Sequence, residues 1–539
     1  MAVFTTVNLI QAVFTPISVD EAYYKVWSLY PDWGYFDHPP MVAWWNVVGN
    51  FLFDGTLGSR LLTVFLNGFS LFFLWVILKP ETLKQFWLFV VLSMGTIVIQ
   101  VFGFITTPDA PLLFFGLFYL LVFKRFLEKK SMNNAILLSL AMAGLAYSKY
   151  HGLLLIVFTV LPQLRKWIRN PKFYLAVIIS LMLYLPHLLW IVQHDFIPLR
   201  YHFSDRSSDK SFRIDRYLTY PLMYFLGLSP LLAYFTIKAL FRFKSRNDFQ
   251  KSLKWLAILP GIFFLFSLHK ESVQPQWLLI SFLAMLMISY LYYADAPKLK
   301  WLFRLGWLSI GLILLIRIGL MLPGLSPFSI NQNFAEELNR RNIDNLLFEK
   351  YQEASVFLFY NPDKKASVHR TLGNRKNQFS LWNIEDDFYG KSVHYVSPWV
   401  RGADSLKAYK DMVYYIKEIP DYLTFHQLKI ETESSIRATA AEPIVINLKL
   451  YNGHGHPLRI GGDSDLQLNV SYYQQKQHEV VYKTLLETEP LFLKPGESRV
   501  LSVSFRNIAE TGDYKASIGI QYSQIGTTYL SEVMEVISE

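Results

Sequence analysis

Two adjacent acids, Asp20 and Glu21, directly follow the first apolar segment of this chain. Ionisable groups at the mouth of a membrane segment need solvent or a partner. A carboxylate there can act as a general base, taking a proton from an acceptor hydroxyl or amine. A solvated acid at a helix end is the alternative. Asp37-His38-Pro39-Pro40 lies in the same connection. Its carboxylate and imidazole suit a divalent metal or a phosphate, and Pro39 drives His38 toward an extended backbone. Asp109, within Thr106-Thr107-Pro108-Asp109-Ala110-Pro111, is the only acid of a tight hairpin. It can cap the helix that follows and faces the same compartment as Asp20.

The candidate cations come next. Lys149, Tyr150 and His151 sit where two short apolar segments meet. A lysine at membrane depth is expensive unless paired. A phosphate, or a carboxylate such as Asp109, would suit it; snorkelling to the interface is the alternative. Arg200, His202, Arg206, Lys210, Arg213 and Arg216 make a second outer loop basic. That favours anion binding, against a solvated loop balanced by Asp195, Asp205, Asp209 and Asp215. His269, Lys270, Glu271 and Gln276 are weaker candidates. No Walker A loop, G-x-G-x-x-G fingerprint or H-E-x-x-H is present. No nucleotide cofactor is expected, and an outer site must use a lipid-linked or exported activated substrate.

The elements that position these residues are membrane helices. Apolar stretches of about 20 residues span a bilayer. Eleven segments are read, some short or broken: 2–19, 59–78, 85–105, 109–123, 132–147, 150–164, 173–191, 217–237, 255–268, 276–294 and 301–322. One set of connections holds 19 Lys and Arg and the alternate set 9. The richer set is expected in the cytoplasm, which puts the N-terminus inside and the region after residue 322 outside, in a plasma (bacterial inner) membrane. The first segment lacks a basic leader, so no cleaved signal peptide is expected. Trp44, Trp45, Val47, Val48, Phe51 and Leu52 form an amphipathic stretch suited to the interface.

Composition agrees. Of 539 residues, 52% are hydrophobic and 17% charged, below the roughly 25% of a soluble chain. The net charge of +10 divides unevenly: residues 1–322 carry 29 Lys and Arg against 15 Asp and Glu, and residues 323–539 carry 23 against 27. The basic excess is a topology signal, not a nucleic-acid groove. With no cysteine, disulfides, thiolate nucleophiles and Cys-type zinc sites are excluded.

After residue 322 the pattern changes. Residues 323–425 mix helix signals (Phe334 to Arg341, Tyr351 to Tyr360) with strand signals (Ala366 to Arg370, Ser392 to Val396). This predicts an outer α/β domain. From 426 the chain alternates in short runs, such as Ile444 to Leu450, Leu466 to Tyr473, Arg499 to Phe505 and Tyr514 to Tyr522. Asn452-Gly453, Gly461-Gly462-Asp463 and Lys494-Pro495-Gly496 supply turns between them. A β-sandwich over 426–539 is expected.

Together, Asp20-Glu21-Ala22-Tyr23-Tyr24, Trp33-Gly34-Tyr35-Phe36-Asp37-His38-Pro39-Pro40 and Thr107-Pro108-Asp109-Ala110-Pro111 resemble the polytopic GT-C glycosyltransferases of family 39/83 type. These include protein O-mannosyltransferases and lipid A aminoarabinose transferases. Ser148-Lys149-Tyr150, Gln274-Pro275-Gln276-Trp277, Tyr351-Gln352-Glu353-Ala354-Ser355 and the stretch from Gly373 to Trp382 look like further family blocks. The resemblance covers about residues 1–400. It implies a mainly α, polytopic fold with about eleven transmembrane helices, and sugar transfer from a polyprenyl-phosphate donor on the outer side. By position, Asp20 would be the base, with Glu21 beside it and Asp109 a second site carboxylate. His38, Lys149, Tyr150, Arg200, His202, Arg206 and Arg213 would bind the donor phosphate or lipid. Asp37, with His202, would hold a divalent metal (Zn, Mg or Mn). His38 stands where the aminoarabinose branch has a phosphate-contacting lysine. A lipid, a glycan or a protein could be the acceptor; membrane lipids are the surroundings, and no nucleic acid is expected. The rival reading is a transporter of lipid-linked sugars or an envelope scaffold. Transporters place polar groups near the midplane, often within repeats; here they lie at the outer helix ends, and no repeat is seen.

Overall fold

A computed structural model describes residues 1–203, 213–269, 271–369, 371, 376–409, 412–474, 480–486 and 488–539. The chain divides into two compact units, Met1–Asn333 and Phe334–Glu539.

The first unit is helical. Among the described residues, six helices are long and apolar enough to cross a membrane: Gly55–Leu78, Asp109–Glu128, Pro171–Gln193, Asp248–Ser267, Pro275–Tyr293 and Lys300–Met321. Two bent pairs raise the number to eight: Ala2–Phe14 with Val19–Trp27, bent by 90°, and Ile214–Leu228 with Pro230–Arg242, bent by 101°. Leu83–Met94, Met132–Ser148 and His151–Val160 are shorter apolar helices. The protein is therefore a multi-pass membrane protein with a strand-rich C-terminal region. Segment 2–19, read as one span, is instead a helix that stops at Phe14 and a second that starts at Val19. Pro16 removes a backbone donor at that corner, which ends the first helix. Segment 85–105 likewise breaks after Met94, at Gly95.

Helix Met41–Leu52 buries Val42, Ala43, Trp45, Asn46 and Gly49 and exposes Val47, Val48, Phe51 and Leu52. It is the amphipathic stretch expected from the sequence. Between helices Met132–Ser148 and His151–Val160, Lys149 is extended, so its side chain departs from both helix surfaces.

The second unit contains a mixed five-stranded sheet in the order Ala366–Val368, Leu346–Phe348, Val393–Ser397, Met412–Ile419, Asp404–Tyr409. Helix Tyr351–Tyr360 follows Leu346–Phe348. Beyond it come antiparallel strands. Pro443–Asn452 pairs with Ser498–Arg506 and Leu428–Glu431, while Leu466–Tyr473 pairs with Gly512–Tyr522 and Val480–Leu485. Strand Pro443–Asn452 alternates strictly, with Ile444, Ile446, Leu448 and Leu450 inward, as a one-sided strand must. One apolar cluster joins Leu347, Val393, Tyr395 and Ile419 of the first sheet to Leu448, Leu468, Ile518 and Val536 of the other strands. A shared core makes residues 334–539 one unit.

Candidate active site

The two acids at the first corner turn opposite ways. Asp20 is exposed in the first turn of helix Val19–Trp27, and Glu21 is 1% exposed. Ser18 caps this helix: the Glu21 amide donates to Ser18 Oγ at 3.3 Å, and the Ser18 amide donates back to Glu21 Oε2 at 3.2 Å. That reciprocal pair is a capping box. Arg60, wholly buried, donates Nε–H to Glu21 Oε1 and Nη2–H to Oε2, both at 2.7 Å. Its other N–H groups reach the carbonyls of Ala12, Thr15 and Pro16 at 3.3, 2.6 and 3.1 Å. All five guanidinium donors are thus matched. The Thr106 amide donates to Glu21 Oε1 at 3.1 Å. Glu21 therefore ties the Asp20 turn to the hairpin that carries Asp109.

Asp109 is the first residue of its helix and does not cap it; Pro108 holds the cap position. Its two oxygens instead accept from Lys149 Nζ at 2.8 and 2.9 Å, with both residues 4% exposed. This is the carboxylate partner that a lysine at membrane depth needs.

A second group lies beside it. His187, inside helix Pro171–Gln193, is fully buried and donates Nδ1–H to the Trp33 carbonyl at 2.7 Å. Its Nε2 then accepts from the Tyr150 hydroxyl at 3.3 Å. His202 donates Nε2–H to the Asp37 carbonyl at 2.9 Å, so only its Nδ1 can serve as a lone-pair donor. Ring centroids are 5.6 Å apart for Tyr150 and His202, 6.1 Å for His202 and His38, and 5.9 Å for His38 and Tyr24. Tyr24 is one helical turn beyond Asp20. Ring contacts link Tyr24, His38, His202 and Tyr150, and chain neighbours connect this group at one end to Asp20, one turn before Tyr24, and at the other to Lys149 of the Asp109 pair.

Not every sequence candidate joins it. Arg213 pairs with Asp215, two residues away, at 3.0 Å, and both side chains are more than half exposed. Arg200 is exposed on helix Ile197–Phe203. Arg206 and Lys210 lie outside the described residues. Asp37 is 5% exposed, and it meets His202 through its backbone carbonyl.

The sequence reading missed Arg60, His187 and Arg317. His187 had a signal, because an ionisable residue inside a membrane segment is a functional candidate by default. Arg317 is 4% exposed and donates to side-chain oxygens of Asn8, Gln11 and Gln100 at 2.6 to 3.2 Å. It pins helix Lys300–Met321 to Ala2–Phe14.

The family match among the comparisons with known proteins falls within this unit. Residues 37–190 match the family described as Dolichyl-phosphate-mannose-protein mannosyltransferase. The match covers Asp37, His38, Asp109, Lys149, Tyr150 and His187. Lipid A galacturonosyltransferase RgtD of Rhizobium johnstonii is 26% identical over 305 residues, which are 53% of this chain and 62% of that protein. This chain therefore spans less than two thirds of that relative's length. A solved structure, the Pseudomonas fluorescens alkylpurine DNA glycosylase AlkC bound to DNA containing an abasic site analog, covers 61% of this chain and 82% of its own. Its TM-score of 0.16 at 10% identity carries no argument. By family match and by relative, this chain is similar to the GT-C glycosyltransferases.

Proposed function

We propose that the protein is an integral-membrane glycosyltransferase that moves a sugar from a polyprenyl-phosphate carrier to an acceptor at the outer face. The observation that carries this reading is the group of Tyr24, His38, His202 and Tyr150, which continues along the chain to Asp20 on one side and to the buried Asp109–Lys149 pair on the other. Most of that group lies in the region similar to the mannosyltransferase family.

Asp20 is the base. It is the exposed acid of the pair, while both oxygens of Glu21 are taken by Arg60. Asp20 accepts a proton as the acceptor oxygen or amine attacks the anomeric carbon. The bond from that carbon to the phosphate oxygen breaks, and the polyprenyl phosphate leaves with the electron pair. A single displacement inverts the anomeric centre; retention would require a carboxylate nucleophile beside it. Glu21 holds Asp20 and the Asp109 hairpin in register and is a positioning residue.

Charge develops on the leaving phosphate, so fixed donors there favour the transition state. Lys149 spends two of its three N–H groups on Asp109, and the third is left for the phosphate. That pair is neutral overall, so the remaining positive charge has to come from elsewhere, and Arg200, exposed on helix Ile197–Phe203, is the cation proposed to approach the phosphate when the donor binds. Asp37 and His202 Nδ1 would hold a divalent ion if the enzyme uses one, and that ion would screen the phosphate. An N-terminus inside and the region after residue 322 outside fit the distribution of Lys and Arg. The apolar side of helix Met41–Leu52 then lies in the outer interface. The acceptor is a lipid, as for the Rhizobium relative, or another envelope glycan or protein.

Purified protein in vesicles, supplied with a panel of labelled polyprenyl-phosphate sugars and candidate acceptors, tests the reading. Transfer with release of polyprenyl phosphate supports it. Carrier translocation without transfer would replace it with the transporter reading.

A further inference from the structure

The second unit gathers three histidines and two acids of its own. Asp386 and Glu385 sit on the short 3-10 helix Asn383–Phe388, His426 precedes strand Leu428–Glu431, and His454 and His456 lie in the turn after strand Pro443–Asn452. Asp386, His454 and His456 each offer one ligand atom within 4.8 Å of the others.

Hydrogen bonds assign the roles. His454 Nε2 accepts the Gln427 backbone N–H at 2.9 Å, so its proton is on Nδ1 and is donated to Asp386 Oδ1 at 2.8 Å. Both of its nitrogens are in use. Gln427 Nε2 donates to Asp386 Oδ2 at 2.9 Å, which fixes the carboxylate. His456 donates Nδ1–H to the Pro457 carbonyl at 3.3 Å and stacks on Tyr389 at 3.6 Å. Its Nε2 lone pair therefore faces Thr424 Oγ1 at 2.7 Å and Asp386 Oδ1 at 4.0 Å. His426 is the unexplained member. Its Nδ1 lies 3.5 Å from Glu385 Oε2 and 3.9 Å from Asp386 Oδ1, yet neither ring nitrogen has a hydrogen-bond partner among the described residues. Its side chain is 17% exposed and both nitrogens are inaccessible. Buried polar atoms without a partner are rare in native folds.

We propose that this cluster binds a divalent transition-metal ion of the zinc class, through Asp386 Oδ1, His426 Nδ1 and His456 Nε2. Bonds of about 2.0–2.1 Å in tetrahedral geometry place ligand atoms roughly 3.4 Å apart. The two gaps to Asp386 Oδ1, 3.9 Å from His426 Nδ1 and 4.0 Å from His456 Nε2, each close with a shift of about half an ångström, and the Thr424 hydroxyl, 2.7 Å from His456 Nε2, turns aside. Glu385 Oε2 or water completes the shell. A mixed imidazole and carboxylate set suits zinc rather than calcium or magnesium. His454 is a positioning residue that orients Asp386 from behind, as outer partners of metal ligands do. The ion staples the 3-10 helix, the approach to strand Leu428–Glu431 and the following turn. It is independent of the membrane site and of the proposed transfer.

The test uses full-length, tag-free protein, stripped with chelator and dialysed against micromolar zinc. Elemental analysis of the parent and of a His426→Ala/His456→Ala variant is the readout. An Asp37→Asn/His202→Ala variant separates this ion from any bound in the membrane unit. The expected result is that the first variant binds one zinc fewer than the parent and that the second keeps that equivalent. His454→Ala should weaken binding by about 10–100-fold. The melting temperature of the parent, which needs no variant to fold, should rise on adding zinc to the stripped protein. Equal zinc in parent and His426→Ala/His456→Ala protein would overturn the proposal. So would a stripped parent that takes up no zinc and whose melting does not move.

Discussion

Replacing Glu21 with alanine should cripple the fold before it touches the chemistry. The substitution leaves the Arg60 guanidinium in a site with no solvent and removes two of its five acceptors, both at 2.7 Å. It also orphans the Thr106 amide and one half of the Ser18 capping box. Removing one member of a buried ion pair costs about 3–5 kcal/mol, chiefly because the other charge stays behind. Native stabilities are only about 5–15 kcal/mol, so the loss is a large part of the total. A paired Glu21→Leu/Arg60→Met variant removes both charges. It should recover much of the loss but not all, because the carbonyls of Ala12, Thr15 and Pro16 lose a donor. The assay is unfolding of purified full-length protein followed by tryptophan fluorescence. A Glu21→Ala protein that unfolds like the parent would refute the reasoning. So would a double variant less stable than Glu21→Ala.

Other predictions follow from the same contacts. Lys149→Met should strand the Asp109 carboxylate in a buried site, costing about 3–5 kcal/mol; Lys149→Met/Asp109→Leu should be more stable than Lys149→Met yet inactive in transfer. Gly34→Ala would place a Cβ 2.4 Å from the Trp190 ring, whose Nε1–H donates to Asp32. Overpacking of this kind costs about 1–3 kcal/mol, measurable in the same unfolding assay. Burial pushes the Glu353 carboxyl up to about 7, and Tyr414 donates to its Oε1 at 2.5 Å. The folded chain then holds a proton that the unfolded chain has released. This contribution is full below about pH 4.5 and is lost as pH rises through 7, by up to about 3 kcal/mol. Melting followed from pH 5 to 8 should show that decline, and Glu353→Gln should flatten it.

Much of this was legible in the sequence. Strand Pro443–Asn452 falls where the alternation puts it, because it buries one regular face, and helix Tyr351–Tyr360 and strand Leu466–Tyr473 also fall where expected although they are buried nearly throughout. The Asp109–Lys149 pair is one of the three readings open to a lysine at membrane depth, beside a phosphate partner and snorkelling. The different fates of Asp20 and Glu21 were half legible: Ser18-Val19-Asp20-Glu21 is the S-x-x-E pattern of a capping box, which turns Glu21 back into the fold. That Arg60 would meet it, 39 residues on, depends on tertiary packing that no local pattern encodes. The corner at Pro16 was read through as one span because apolar composition continues across it. The histidine cluster escaped because His426 and the His454-Gly455-His456 pair meet Asp386 only through the fold.

The central claim is that Asp20 is the base and Glu21 a structural neighbour. The most direct measurement compares transfer turnover and unfolding for the parent, Asp20→Asn and Glu21→Gln, with a polyprenyl-phosphate sugar that the parent uses. Asp20 is exposed, so Asp20→Asn should unfold like the parent, and its turnover should fall by about 10²–10⁴-fold. Glu21→Gln should lose stability, and lose turnover only to the extent that folded protein is lost. Asp20→Asn protein with undiminished turnover would contradict the account.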